Sequence, residues 1–124
     1  TVNIVVAQRL VRIVCPSCRV KKKLNLAELK SIAPLAKSLL IDKVYTAGPG
    51  CEQCEMKSYR GRIGIYEVLD VNEEIRPLIV GRADAAQIRT VAVKHGMKTM
   101  IEDGLMKAQE GVTTIEEVLR IVYE

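Results

Sequence analysis

Two short stretches, Cys15-Pro16-Ser17-Cys18 and Cys51-Glu52-Gln53-Cys54, contain all four cysteines of this 124-residue chain. Each Cys-x-x-Cys pair can place two sulfurs on one side of a tight turn. Two such turns together supply the four thiolates of a tetrahedral structural zinc site. Thiolate sulfur selects zinc or an iron–sulfur cluster over hard cations. Because protein would fill all four positions, we expect Cys15, Cys18, Cys51 and Cys54 to hold a structural Zn²⁺ that takes no part in catalysis.

The same cysteines allow two other interpretations, namely two redox dithiols or two disulfides. Cys-Pro-x-Cys also occurs in thiol–disulfide enzymes, but redox activity needs only one pair, placed after a strand in a βαβ unit. Disulfides would imply an oxidising compartment, and no signal-peptide pattern is present. We therefore expect zinc and a cytoplasmic location.

The charge of the chain is unevenly distributed. Residues 1–62 carry 12 Lys and Arg against 4 Asp and Glu, a net charge of +8, whereas residues 63–124 have a net charge of −4. One interpretation is that a basic zinc module and an acidic helical module attract each other or neighbouring subunits. Another is contact with nucleic acid or anionic lipid, through a surface that includes the run Arg19–Lys23. No stretch approaches the eighteen or so apolar residues of a membrane span.

The first half of the chain reads as short strands around a helix. Apolar alternation over residues 2–14 favours a strand leading into the first Cys-x-x-Cys turn. Asn25 is a good helix cap, and Pro34 should divide the following helix into two pieces that end near Leu40. Residues 43–46 read as a second short strand.

The second half begins with a strand and continues as helices. Residues 63–69 are rich in β-branched and aromatic side chains, which favours a strand. Asn72 should then start a short helix over residues 73–80, in which Pro77 is poorly placed. Three later helices each open with a capping box, at Asp84–Gln87, Thr99–Glu102 and Thr113–Glu116. Gly96 and Gly111 stand where left-handed C-caps would end the first two of them. His95, the only histidine, precedes Gly96 at a helix end and suits a contact with the helix dipole better than a metal.

These patterns predict an α+β fold, in which a small zinc-stapled subdomain with short strands is followed by a small helical bundle. We expect three parts, a strand over residues 1–14, a tetracysteine zinc-binding subdomain over 15–62, and a helical subdomain over 63–124. Few large apolar side chains lie in residues 15–62, so we expect removal of zinc by a chelator to unfold this subdomain and largely to spare the helical subdomain.

Four motifs, in order along nearly the whole chain, resemble the C-terminal part of the type II secretion and type IV pilus assembly ATPases. They are Ala7-Gln8-Arg9-Leu10-Val11-Arg12 running into Cys15, Tyr59-Arg60-Gly61-Arg62-Ile63-Gly64-Ile65-Tyr66-Glu67 after the second Cys pair, Glu102-Asp103-Gly104-Leu105, and Gly111-Val112-Thr113-Thr114-x-Glu116-Glu117-Val118. Ser58 departs from the family, which commonly has glycine there.

The resemblance implies a fragment of a larger motor protein. In that family the four cysteines hold a zinc subdomain that projects from a RecA-like motor domain, and the protomers form a hexameric ring. Residues 1–14 would then be a remnant of the upstream motor domain. No Gly-x-x-x-x-Gly-Lys-Ser/Thr loop occurs in these 124 residues, so ATP and Mg²⁺ would bind only in the intact parent, and we expect no ATP hydrolysis by this fragment.

The implied partners are the upstream motor domain, neighbouring subunits of a homo-hexamer, and inner-membrane secretion or pilus platform proteins. The protein would then be cytoplasmic and peripheral to the inner membrane through those partners. The alternative function is an independent zinc-binding module for nucleic acid. We do not expect nucleic-acid binding, because the chain has no Phe or Trp and only four Tyr to offer as stacking platforms.

Four arginines are candidate interface residues. Arg9 and Arg12 lie on the strand that would adjoin the motor domain. Arg60 and Arg62 follow the second Cys pair, where a guanidinium could reach a neighbouring subunit or a phosphate. A simpler interpretation of this pair is a local salt bridge to Glu67 or Asp70.

Overall fold

A computed structural model describes residues 3–35, 41 and 43–122. Its longest feature is an antiparallel pair of strands, β1 (Ile4–Val14) and β4 (Tyr59–Asp70). Their register runs from Ile4 opposite Asp70 to Val14 opposite Tyr59, with one irregularity just before Val14. The two predicted strands are confirmed, and β4 is longer than expected. The expected boundary after residue 62 therefore falls inside a strand.

A smaller antiparallel ribbon, β2 (Val20–Lys23) with β3 (Lys43–Thr46), lies beyond the first Cys pair. Between its strands, α1 (Leu26–Ile32) begins at Asn25, whose side chain and that of Glu28 form a capping box. Pro34 lies in a single 3₁₀ turn, Ala33–Leu35, just after the end of α1, and its missing N–H cannot continue the α-helical hydrogen bonds. The helical piece predicted to end near Leu40 lies outside the described residues.

Four helices follow β4, namely α2 (Arg76–Val80), α3 (Ala85–Lys94), α4 (Met100–Glu110) and α5 (Ile115–Val122). The first is shorter than predicted. The Asn72 side-chain oxygen accepts from the backbone N–H groups of Glu74 and Ile75, which holds residues 72–75 as a turn. Helix α2 therefore starts late enough for Pro77 to fall in its first turn, where a backbone donor is not needed.

Two of the three predicted capping boxes are confirmed, at the starts of α3 and α4. The third is wrong by one residue. Helix α5 starts at Ile115, and the Thr114 hydroxyl accepts from the backbone N–H of Glu117. The Thr113 hydroxyl instead donates to the Arg12 carbonyl oxygen at 2.7 Å. Gly111 ends α4 with φ +85°, and Gly96 follows α3 with φ +100°, as predicted.

The apolar side chains form two clusters. The larger joins residues 15–62, called the zinc half below, to the last two helices, and its buried members are Leu24, Ile32, Ile41, Val44, Leu105, Ala108, Ile115 and Val118. The smaller lies at the far end of β4, where Val71, Ile75 and Ala92 hold α2 and α3. The α+β class is confirmed, although the helices pack on strands as well as on each other. No helix in the described part of the chain is long and apolar enough to cross a membrane.

Candidate metal centre

Strand pairing brings the two Cys-x-x-Cys turns together. Strand β1 ends one residue before Cys15, and a 3₁₀ turn over Glu52–Cys54 lies a few residues before β4 begins. Because Val14 is opposite Tyr59 at this end of the ladder, the first turn leaves the sheet beside the second. The backbone N–H of Cys15 donates to the Ser58 carbonyl oxygen at 2.8 Å, which fixes the two turns to each other.

Gly48 and Ser58, on either side of the second Cys pair, have unusual backbone requirements. A Cβ atom at Gly48 would lie 1.8 Å from the Cys18 carbonyl oxygen, so only glycine allows the loop to pass this close to the first turn. Ser58 has φ +68°, a left-handed conformation that favours glycine. Glycine would adopt this conformation without strain.

The four sulfurs have the spacing of a tetrahedral metal site. The Sγ–Sγ distances are 3.7 Å for Cys15–Cys51, 3.9 Å for Cys18–Cys54 and 3.8 Å for Cys51–Cys54. All four sulfurs lie within 4.8 Å of one another. Four thiolates at about 2.3 Å from a central Zn²⁺ would be about 3.8 Å apart. The three shorter distances match those of a four-thiolate zinc site, so the cluster suits zinc.

The disulfide interpretation does not match this geometry. All four cysteines are free thiols, and their sulfurs are much farther apart than the roughly 2.05 Å of an S–S bond. Among the described residues, the four cysteines are the one group of three or more His, Cys, Asp or Glu side chains close enough to share a metal ion.

The protein surrounds the sulfurs with backbone donors. The N–H groups of Cys51 and Ser58 donate to the Cys54 sulfur at 3.3 and 3.2 Å. Burial raises the pKa of the Cys54 thiol, but these two donors and the neighbouring thiols outweigh it and lower the pKa to about 6. Burial and the thiols of Cys15 and Cys54 raise the pKa of Cys18 to about 12. A bound cation would favour the thiolate form of all four sulfurs.

Arg19 connects the metal centre to the helices, a role that the sequence did not reveal. It follows Cys18 directly, lies 4.4 Å from the centre of the Tyr45 ring, and donates to the Gly111 carbonyl oxygen at 2.6 Å. That oxygen belongs to the residue that ends α4, where the carbonyls lack helical partners. The first Cys turn thus supplies the cap of a helix 92 residues away.

Arg12 makes several contacts within the chain. Its Nε donates to the Glu117 carboxylate at 2.7 Å, its backbone N–H donates to the same oxygen at 2.9 Å, and its guanidinium lies 4.0 Å from the centre of the Tyr59 ring. Glu117 is only 1% exposed. The Arg12 side chain is still 55% exposed, so part of it remains available to a partner.

The predicted salt bridge between Arg62 and Glu67 or Asp70 is wrong. Glu67 instead accepts from Arg89 at 2.8 Å and from the backbone N–H of Met100 at 3.1 Å. Glu67 lies on the opposite face of β4 from Arg62, and Asp70 lies on the same face but eight residues farther along the strand, which at about 3.3 Å per residue is too far for an ion pair.

The other three candidate arginines lie in the β1–β4 strand pair. Arg62 is directly opposite Arg12 in the ladder, and Arg60 donates to the Gln53 carbonyl oxygen at 3.5 Å. Arg9 is exposed and lies opposite Ile65. The interface roles of Arg9, Arg12, Arg60 and Arg62 stay predictions.

Residues 1–120 match the family described as Type II/IV secretion system protein. Among characterised relatives, the chain is 44% identical over 120 residues to a type IV pilus assembly ATPase, PilB, of Thermus thermophilus. It is 38% identical over 122 residues to type II secretion system protein E of Pseudomonas aeruginosa, and 37% identical over 120 residues to the type II secretion system ATPase E of Vibrio cholerae.

Each of these matches covers 97% of the chain but only a small part of the relative, 13% of the Thermus protein and 23% of each of the other two. The chain therefore corresponds to one region of much longer proteins.

Proposed function

This chain belongs to the type II/IV secretion system protein family, and from that premise we propose that it is a zinc-stabilised part of a ring-forming ATPase. In the intact protein it would transmit motion driven by ATP hydrolysis to an assembly platform at the inner membrane, for protein secretion or pilus assembly. The observation that carries this proposal is the four-sulfur cluster, because a metal bound there would fix β1, β4 and the β2–β3 ribbon relative to one another. A rigid joint is what a part that transmits motion needs.

Catalysis would lie elsewhere in the intact protein. The 124 residues lack a phosphate-binding loop, and a closed four-thiolate site leaves no position for a reacting water. We infer that ATP and Mg²⁺ bind in an upstream motor domain, and that Zn²⁺ serves only to hold structure. The partners would be that motor domain, neighbouring subunits of a homo-hexamer, and platform proteins at the cytoplasmic face of the inner membrane.

The test uses the longer protein in its own cell. Cys51→Ser should abolish secretion or piliation, because a three-thiolate site holds zinc poorly, whereas nucleotide binding by the purified variant should persist. Cys51→Ser that still supports transport would contradict the proposal. Loss of nucleotide binding along with transport would also contradict it, since the zinc would then support the motor itself.

Arg62→Ala tests the subunit-interface part of the proposal. Among described residues Arg62 has no ion pair with Glu67 or Asp70 that could explain its charge. If it contacts a neighbouring subunit or nucleotide, oligomer-dependent ATP hydrolysis should fall by at least about tenfold, which corresponds to ~1.4 kcal/mol. Lys94→Ala, an exposed cation on α3, is the matched control. Equal turnover in the two variants would remove Arg62 from the interface.

A further inference from the structure

We propose that the outer face of the β2–β3 ribbon docks on the anionic headgroups of a lipid bilayer. The ribbon register places Lys21 opposite Tyr45 and Lys23 opposite Lys43. Side chains alternate between the faces of a strand, so these four share one face. Val44 lies on the other face and is fully buried in the larger apolar cluster. The lysine face is therefore the one that points away from the core.

The lysines on this face are not neutralised within the described part of the chain. Lys23 and Lys43 lie directly opposite each other, an arrangement of like charges that destabilises a sheet. Neither has a carboxylate partner there, whereas Lys22 on the inner face pairs with Glu28 at 2.8 Å. The Lys21 ammonium lies 5.8 Å from the centre of the Tyr45 ring, and no carboxylate of a described residue pairs with it. A ribbon that keeps an unfavourable pair of cations exposed suits an external anionic surface.

An exposed aliphatic side chain lies at the same end of the ribbon. Leu26, three residues after Lys23, is 75% exposed in the first turn of α1. The ion pair between Lys22 and Glu28 holds that turn against β2. Lys30, one helical turn farther on, is also exposed. Exposed lysines and an exposed leucine at the same end of the ribbon suit the interface of a bilayer, where cations meet phosphates and an apolar group enters the acyl boundary.

The same features favour lipid over nucleic acid. The guanidinium of Arg19 already lies over the Tyr45 ring, so the one aromatic group on this face is occupied. An exposed leucine adds nothing to phosphate binding but adds affinity for a bilayer. Each lysine near an anionic surface should strengthen binding about fivefold. The inference does not depend on the proposed ATPase function, because it concerns the binding of this chain alone.

The experiment measures co-sedimentation of the zinc-loaded 124-residue chain with vesicles. Phosphatidylglycerol vesicles should retain the chain, phosphatidylcholine vesicles should not, and added salt should release it. The double variant Lys23→Glu, Lys43→Glu should lower binding by about 25-fold or more. The control Lys94→Glu, Lys98→Glu makes the same charge change on α3 and the turn after it, and should bind as the wild type does. Zinc content and circular dichroism would verify that each variant is folded.

Leu26→Gln separates a bilayer from other polyanions. It should weaken binding to phosphatidylglycerol vesicles but leave any binding to duplex DNA or heparin unchanged. Failure of the wild type to bind these vesicles would overturn the proposal, and so would equal loss of binding in the two double variants. Tighter binding to DNA than to vesicles, with no effect of Leu26→Gln on either, would assign the face to nucleic acid instead.

Discussion

Glu117 is buried at 1% exposure and yet remains charged, because the chain surrounds it with donors. Burial raises the pKa of this carboxyl group, but hydrogen bonds from the side chain and backbone of Arg12 and from Arg120 outweigh it and lower the pKa below its usual range. Its backbone N–H in turn donates to Thr114. One carboxylate therefore joins the start of α5 to the outer edge of β1.

Glu117→Gln should destabilise the folded chain by about 1–3 kcal/mol at pH 7, since it removes a charged acceptor from a hydrogen-bonded pair. The cost should stay below that of a fully buried ion pair, because the Arg12 side chain is half exposed. Urea unfolding of the zinc-loaded protein measures the difference. Glu110→Gln, at an exposed position of α4, is the control and should change stability by less than about 0.5 kcal/mol.

The same carboxylate makes stability depend on pH. A group whose pKa is lower in the folded state stabilises the fold above its unfolded pKa of about 4.3, and that stabilisation is lost as the pH falls through the folded pKa. The stability gap between wild type and Glu117→Gln should therefore close below about pH 4. The thiolates also titrate in acid, but they do so equally in both proteins. A gap that stays constant to acid pH would show that the fold does not lower the pKa of Glu117.

Metal analysis should find one Zn²⁺ per chain, with a first shell of four sulfurs at about 2.3 Å in X-ray absorption. This expectation follows from Sγ–Sγ distances of 3.7–3.9 Å. A first shell that includes nitrogen or oxygen, or a chain that purifies metal-free with oxidised cysteines, would contradict it.

The cysteines could be predicted from sequence because the spacing within each pair already defines a turn. The contacts of Arg12 with Glu117 and of Arg19 with Gly111 could not. Each joins residues more than ninety positions apart, and nothing local distinguishes these arginines from the other cations of a basic half.

At the scale of the elements, the two glycines that end α3 and α4 have the same backbone conformation but different surroundings. A Cβ atom at Gly96 would meet nothing within 4 Å, whereas at Gly111 it would lie 2.4 Å from the Arg19 guanidinium and 3.0 Å from the Tyr45 ring. Gly96→Ala should therefore cost only the left-handed conformation, about 1–2 kcal/mol. Gly111→Ala should cost clearly more, because it also displaces Arg19 from the end of α4. Thermal unfolding of both variants measures the comparison, and equal losses would mean that the Arg19 contact does not stabilise the fold.

Helix starts were predictable where one capping residue stood alone. Asp84 and Thr99 each precede a single acid or amide at the right spacing. Thr113 and Thr114 are adjacent and are followed by Glu116 and Glu117, so the pattern fits two registers equally well. Tertiary contacts decide between them. The Thr113 hydroxyl donates to the Arg12 carbonyl oxygen of β1, and the Tyr59 hydroxyl hydrogen-bonds to that of Thr114.

At the scale of the whole molecule, the zinc half and the last two helices share one core. Val44 of β3 and Ile32 of α1 belong to the same buried cluster as Leu105 and Val118. The sequence could show that each element has an apolar side, but it could not show which elements pack together. An independent helical half was therefore a reasonable expectation from composition, and the shared cluster argues against it.

Chelation should unfold the zinc half and also loosen α4 and α5, because both helices lose core partners. Helices α2 and α3 pack in a separate cluster with the end of β4, and should persist longer. Amide hydrogen exchange with excess chelator would resolve the difference by residue. Exchange that spares α4 and α5 as fully as α3 would show that the shared core is not needed to hold them.

At one end of the β1–β4 ladder, the start of β1 and the end of β4 lie side by side. Ile4 and Asp70 form the first pair, and the four cysteines close the opposite end just past Val14 and Tyr59. A mechanical load that separates residues 4 and 70 would act on one pair of the ladder at a time, as in a zip, so the strands should part at low force. Opening would then stop where the metal ties the last pair together. In a motor that pulls on the β1–β4 pair, a zinc ion at the cysteines would limit how far the two strands can separate. It would also let them close again in the same register.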